Sequence, residues 1–243
     1  MTGTQAFDMK YLGGDNDMRL PQEDICTSRD ETVFDRCSWL YALCRERIFT
    51  DHTRSIADRF REVDPTQQRR VLLEVGCGPG FYSLRLAEIF PHFEVIGLDP
   101  SARLLEMARK KALKRKLPNC RFLRARAQHL IDFPATVDFI LASRLLFILS
   151  NKRPAFEAMY QALRPSGFLF IAEPLSPLRT RIPVTAMRLM GPSPRASRSS
   201  ESEPSCSVLT KSEFASFIHS LPWKRVEHWF DRGYQYALCE KPF

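Results

Sequence analysis

Three glycines and two acids form the sharpest chemical signal in this 243-residue chain. The stretch Val71-Leu-Leu-Glu-Val-Gly-Cys-Gly-Pro-Gly80 is a compact apolar run that ends in glycines 76, 78 and 80. Without a Cβ, such a turn lets backbone approach a ligand closely, and the helix behind it offers unpaired N–H groups. The pattern is GxGxG, with Phe81 standing where a dinucleotide-binding turn has its third glycine. Pro79 removes a donor that a pyrophosphate would use, while Glu74 repels a diphosphate and can hold an ammonium group. Asp99 follows Gly78 by 21 residues, where a carboxylate can accept from both hydroxyls of a ribose. Together these residues suit a nucleoside carrying an amino acid better than a nicotinamide dinucleotide.

Other candidates end later apolar runs or precede the glycine turn. Ser143 and Arg144 follow the run 139–142, and ligands of open α/β sheets bind beyond such strand ends. Arg144 is therefore a candidate substrate or cofactor contact. Glu173 ends the run 168–172 and is a candidate catalytic base or acceptor contact, with a salt-bridged acid as the plainer reading. Tyr41 and His52 are candidate pocket residues, with a core tyrosine and a capping histidine as the plainer readings. The seven cysteines are odd in number and form no CxxC pair, which suits a reducing cytosol and suggests no metal site.

The elements that must position these groups come from hydrophobic periodicity. Residues 1–27 show no period and read as a loose arm. Residues 28–66 read as a helical cap, opened by the capping-box pair Ser28 and Glu31 and closed where Asp64 meets Pro65. From 67 to 243 strands alternate with helices. Strands are expected at 71–75, 93–98, 120–125, 139–142 and 168–172, with helices at 79–90, 101–116 and 154–163. Thr210 and Glu213 open a further helix, and 223–230 with 233–239 form a closing hairpin. This alternation predicts an α/β, doubly wound, mostly parallel seven-stranded sheet with an antiparallel hairpin at its end. Eleven of the seventeen residues 191–207 are Ser, Pro or Gly, which reads as a flexible lid or loop.

The segments 74–80 and 95–100 resemble the first two motifs of the class I S-adenosylmethionine methyltransferases. Residues 137–143 resemble that family's fourth-strand motif, and 163–173 its helix-turn-strand before the active site. The resemblance implies S-adenosyl-L-methionine as cofactor. Glu74, Gly76, Cys77, Gly78 and Gly80 would then meet its methionine part, Asp99 its ribose and Pro100 its adenine, with Ser143 also at the site. Many relatives carry an acid after the third strand that meets the adenine amino group. Here Arg126-Ala127-Gln128 stands there, so Gln128 or backbone near Ala127 takes that contact.

Charge separates the partner classes. Lys and Arg exceed Asp and Glu by 8, yet residues 103–126 alone hold ten Lys or Arg and one acid. The remaining chain thus nets −1, and the excess is one local basic face, either solvated or a landing strip for phosphates. No apolar run approaches a membrane span, and no signal-like core opens the chain, which suggests a cytoplasmic protein. The expected function is methyl transfer to a small-molecule acceptor. The alternatives are an RNA or protein methyltransferase docking through 103–126, or a module that binds the cofactor without catalysis. Against RNA bases, Ala142-Ser-Arg-Leu replaces the Asn/Asp-Pro-Pro-aromatic motif by which relatives hold a base amino group.

Overall fold

A computed structural model describes residues 38, 42, 43, 50–64, 68–133, 135–176 and 207–243. The expected arm, Tyr41, the first cap helix and all but the last residue of the Ser/Pro-rich segment lie outside the described residues.

Helix α1 (Thr53–Val63) begins where Asp51 Oδ1 accepts from the Thr53 N–H at 2.9 Å, and it stops at Asp64, just ahead of Pro65. Five parallel strands follow: β1 (Val71–Val75), β2 (Glu94–Asp99), β3 (Cys120–Arg124), β4 (Val137–Ser143) and β5 (Leu163–Pro174). Helices α2 (Phe81–Ile89), α3 (Ala102–Arg115) and α4 (Lys152–Ala162) separate them, with a 3₁₀ turn at Ala127–Asp132. Helix α5 (Lys211–Ile218) carries the complete Thr210–Glu213 capping box. The chain then ends in the hairpin β6 (Arg225–Asp231) and β7 (Tyr234–Glu240). The sheet order is β3-β2-β1-β4-β5-β7-β6, with β7 antiparallel to both β5 and β6.

Period-two alternation sends neighbouring residues of each strand into two cores. Leu73, Ile96, Ile140 and Ile171 pack against α4, α5 and the 3₁₀ turn. Leu72, Val95, Phe139 and Phe170 pack against α1, α2 and α3. Helix α1, expected as part of a cap, is instead one of the layer helices: its Phe60 ring sits 4.6 Å from Phe139 and 6.3 Å from Phe170. The reason is its apolar stripe of Ile56, Ala57 and Phe60, which is at most 1% exposed and needs the sheet to cover it.

Gly97 of β2 is paired with Phe122 of β3 and leaves no room for a side chain. A Cβ built on Gly97 would lie 2.6 Å from Phe122 Cδ1 and 2.9 Å from Cys77 Sγ. Replacement by alanine is expected to lower stability by about 2 kcal/mol through overpacking. Urea unfolding of Gly97→Ala tests this, and adding Phe122→Leu should recover part of the loss through coupling of the two sites.

Candidate active site

In the order β3-β2-β1-β4 the winding reverses between β1 and β4, and a crevice opens there beyond the strand ends. Its walls come from four strand termini. Val75 and Gly76 end β1, while Asp99 and Pro100 end β2 beside Leu104 of α3. Ala125, Arg126, Ala127 and Gln128 follow β3, and Arg144, Leu145, Ile148 and Leu149 follow β4.

Backbone donors hold the glycine turn onto β2. The N–H groups of Gly76 and Cys77 both donate to the Leu98 carbonyl at 2.8 Å. Gly80 is the N-cap of α2 at φ 76°, and a Cβ there would stand 2.9 Å from Phe122, so strain and crowding both select glycine. Gly78 N–H donates to Asp99 Oδ2 at 2.9 Å, and Ser101 N–H donates to Asp99 Oδ1 at 2.9 Å. Asp99 also lines the crevice. Glu74, 3% exposed, accepts at Oε2 from the Ser83 N–H at 2.7 Å and from the Ser83 hydroxyl. It thereby fixes the first turn of α2. Burial, with Asp99 and Glu74 nearby, raises the Cys77 thiol well above its ordinary range, and this side chain packs rather than reacts.

After β3, the 3₁₀ turn brings Arg126, Ala127 and Gln128 into the wall, where sequence reasoning placed the last two. After β4, Ser143 Oγ is buried and has no hydrogen-bond partner among the described residues. Arg144 adopts φ 57°, a left-handed conformation costly for a non-glycine residue, and its N–H donates to the Ala172 carbonyl at 2.8 Å. Its guanidinium donates from Nη1 to the Tyr234 hydroxyl at 2.8 Å and lies 5.5 Å over the Phe147 ring. Tyr234 carried no signal in the sequence, because only the β5–β7 pairing brings it beside the end of β4.

Two expected contacts fall elsewhere. Glu173, 2% exposed, stands behind the wall, accepting from Leu146 N–H at 2.7 Å and Phe147 N–H at 3.2 Å. It holds the turn after β4, and its carboxylate does not line the crevice. Burial pushes its pKa up to about 7, against the lowering effect of those two N–H groups and the Arg144 charge. Gln235 lies directly opposite on β7, its Oε1 buried with no partner among the described residues. His52 is buried under tyrosines: its ring is 4.4 Å from that of Tyr234, and Nδ1 is 3.1 Å from the Tyr236 hydroxyl. It braces β7 rather than lining the crevice.

Residues 72–167 match a family model described as a methyltransferase domain. Over this segment the chain is similar to a methyltransferase domain. Trans-aconitate 2-methyltransferase of Afipia carboxidovorans is 28% identical over 124 residues, which cover 51% of this chain and 46% of that protein. A malonyl-[acyl-carrier protein] O-methyltransferase of Legionella pneumophila is 32% identical over 101 residues, covering 41% and 34%. The matched region thus spans less than half the length of either relative. Among solved structures, a SAM-dependent methyltransferase of Aquifex aeolicus superposes with a TM-score of 0.58 at 19% identity, covering 84% of this chain and 97% of that one. S-adenosylmethionine, implied by the domain, fits the residues present: the Asp99 carboxylate lines the crevice, and the Ser143 hydroxyl at the end of β4 has no hydrogen-bond partner among the described residues.

The raised pKa of Glu173 sets a pH dependence. A carboxyl whose pKa rises on folding, here from the usual 4.5 to about 7, stabilises the fold fully below 4.5, and the contribution is lost as pH rises through about 7. The melting temperature of the methyltransferase domain should therefore fall between pH 5 and 8, with a free-energy slope of at most ~1.4 kcal/mol per pH unit. Glu173→Gln, which cannot ionise, should flatten that slope in thermal melts across the same range.

Proposed function

We propose that this chain is an S-adenosylmethionine-dependent methyltransferase acting on a small-molecule acceptor. The carrying observation is Asp99, which ties the glycine turn to the start of α3 and lines the crevice at the β1–β4 switch point. Asp99 would receive the ribose hydroxyls, Pro100 and Leu104 would face the adenine, and Gln128 with the Ala127 backbone would meet its edge. Gly76, Gly78 and the end of β4 at Ser143 would border the methionine part. When bound, the cofactor supplies an activated methyl group. The chain's contribution is to orient an acceptor behind that methyl and keep water out, worth roughly 7 kcal/mol or more.

A small acceptor is supported by the relative named for trans-aconitate, while the other relative is named for a malonyl group on an acyl-carrier protein. The basic face offers less to nucleic acid than its charge suggests. Lys110 pairs with Glu106, Arg115 with Glu88 and Arg121 with Glu94. Arg109 and Arg124 donate to the carbonyls of Phe122 and Pro100 at 2.9 and 3.0 Å. Much of the stretch thus braces α3 against β2 and β3. Among the described residues, no helix is long and apolar enough to cross a membrane.

Purified protein with methyl-labelled cofactor and cell extract should place label in the small-molecule fraction, unaffected by nuclease; label in RNA or protein would overturn the reading. Asp99→Ala is expected to weaken cofactor binding by about tenfold or more in calorimetry, since bonds to a charged acceptor are lost. Replacing Lys110, Lys111, Lys114 and Lys116 together by Gln should leave turnover on the small acceptor within about twofold, surface charges away from the crevice being worth little.

A further inference from the structure

We propose that the outer edge of β6 is a self-association surface, on which a second copy of this chain pairs its own β6 antiparallel about a two-fold axis at His228.

The backbone of this edge is set for pairing. Strand β6 ends the sheet order and pairs only with β7, in a register that runs unbroken from Arg225 to Asp231. The hairpin turn has two residues, Arg232 and Gly233, both at positive φ as in a type I′ turn. Such a turn makes Asp231 and Tyr234 a hydrogen-bonded pair, and bonded and non-bonded pairs then alternate along the ladder. The N–H and C=O groups of Val226, His228 and Phe230 therefore point away from β7. Among the described residues, no hydrogen bond takes up these groups. At the other edge of the sheet, by contrast, the Arg109 side chain takes up the Phe122 carbonyl of β3. Natural edges are closed to pairing by a proline, a bulge or charge. Between 225 and 231 there is no proline and no bulge, and the charges match when the strand meets a copy of itself.

Pairing about His228 aligns the whole strand. It sets Arg225 opposite the partner's Asp231, Val226 opposite the partner's Phe230 and Glu227 opposite the partner's Trp229, each twice by symmetry. Opposite charges, and an aromatic facing a β-branched side chain, are favourable cross-strand pairs. Residues 226, 228 and 230 also meet one another in this register, so ladder bonds and side-chain pairs agree. Arg225 and Asp231 are exposed and pair only within their own hairpin, with Glu227 and Arg232. Phe230 is 42% exposed even though the Lys211 ammonium sits 4.3 Å from its ring centre, and pairing would cover it. Burial, with the His219 charge, lowers the His228 pKa, so near neutral pH two uncharged rings meet at the axis. Neighbouring registers are penalised. Moving the axis one residue toward Arg225 sets Glu227 against the partner's Glu227, and moving it the other way sets Glu227 against the partner's Asp231. The contact is isologous, so it closes at two copies and leaves one continuous sheet.

The test is sedimentation velocity on the full chain, over concentrations on the order of 1 to 100 μM, where a dimer that dissociates on dilution is expected. Arg225→Glu and Asp231→Lys each turn both charge pairs into like-charge pairs, and each should raise the dissociation constant by about tenfold or more. An equimolar mixture of the two variants should recover a heterodimer of near-original affinity, since each supplies the charge the other lacks. Only the register centred on His228 sets 225 opposite 231. Both positions are exposed, so each variant should melt within about 2 °C of the unmodified chain. Hydrogen exchange on the unmodified chain gives a second readout. The amides of Val226, His228 and Phe230 should exchange several-fold more slowly at the high concentration than at the low one, while those of Glu227 and Trp229, already bonded to β7, change little. A monomer at every concentration overturns the proposal. So does a dimer or larger assembly that neither variant weakens, or a mixture that fails to recover. Edge amides protected equally at all concentrations would put a segment of the same chain on the edge, and also overturn it. If a variant fails to fold, the exchange result decides alone.

Discussion

The structure depends on one carboxylate more than on any other group. Asp99 ends β2, and its two oxygens receive the N–H groups of Gly78 and Ser101, which belong to different loops. One bond fixes the glycine turn after β1, and the other fixes the chain as it enters α3, whose N-cap is Ser101. Removing the carboxylate would leave two buried donors without acceptors, each costing about 1–3 kcal/mol. It would also release two of the four strand ends that wall the crevice. Under the proposed function, cofactor recognition and local folding would share this residue.

The same device recurs along this edge of the sheet. Glu74, one residue before the end of β1, holds Ser83 in the first turn of α2. Glu173, one residue before the end of β5, holds Leu146 and Phe147 after β4. Parallel strands end together at this edge, and the loops leaving them expose backbone N–H groups to a crevice that must stay partly dry. Buried acids satisfy those donors without filling the space a ligand needs. At the opposite edge Asp138 accepts from Val71 N–H at 2.7 Å, but there it is balanced by Arg70 and Arg164. Asp138 thus sits among cations, whereas Glu74, Asp99 and Glu173 each secure backbone amides of the loops at the other edge, with the Arg144 charge acting on Glu173.

Much of this was legible in the sequence wherever a local rule controls the outcome. Glycines at 76, 78 and 80 require a tight turn, Thr210 with Glu213 forms its capping box, and apolar runs place the strands within a residue or two of their observed ends, except that β5 begins five residues earlier than expected. Asp99 was readable because its spacing from the turn is set by one helix and one strand. Glu173 was not. Whether its carboxylate faces the crevice or the turn after β4 depends on the register between β4 and β5, which shifts between Val137 and Phe139. Helix α1 read as a cap because its stripe says only that it is covered, not by what. The charge of residues 103–126 was plain, yet its partners Glu88 and Glu94 are distant in sequence and meet it only in the fold.

The end of β4 shows how the fold divides its labour. The glycine turn and Asp99 are rigid because backbone amides secure them, so the cofactor half needs no adjustable part. Across the crevice, Arg144 holds a strained backbone conformation at the joint where β4, β5 and β7 meet. Strain of this kind costs of order 1–3 kcal/mol and persists only where the surroundings over-determine it. Here they do so through a carbonyl from β5, a hydroxyl from β7 and the amides that Glu173 takes from the next turn. The guanidinium serves that joint directly: it donates to Tyr234 of the hairpin, lies over Phe147 of the turn after β4, and sets a positive charge near the buried Glu173 that holds the same turn.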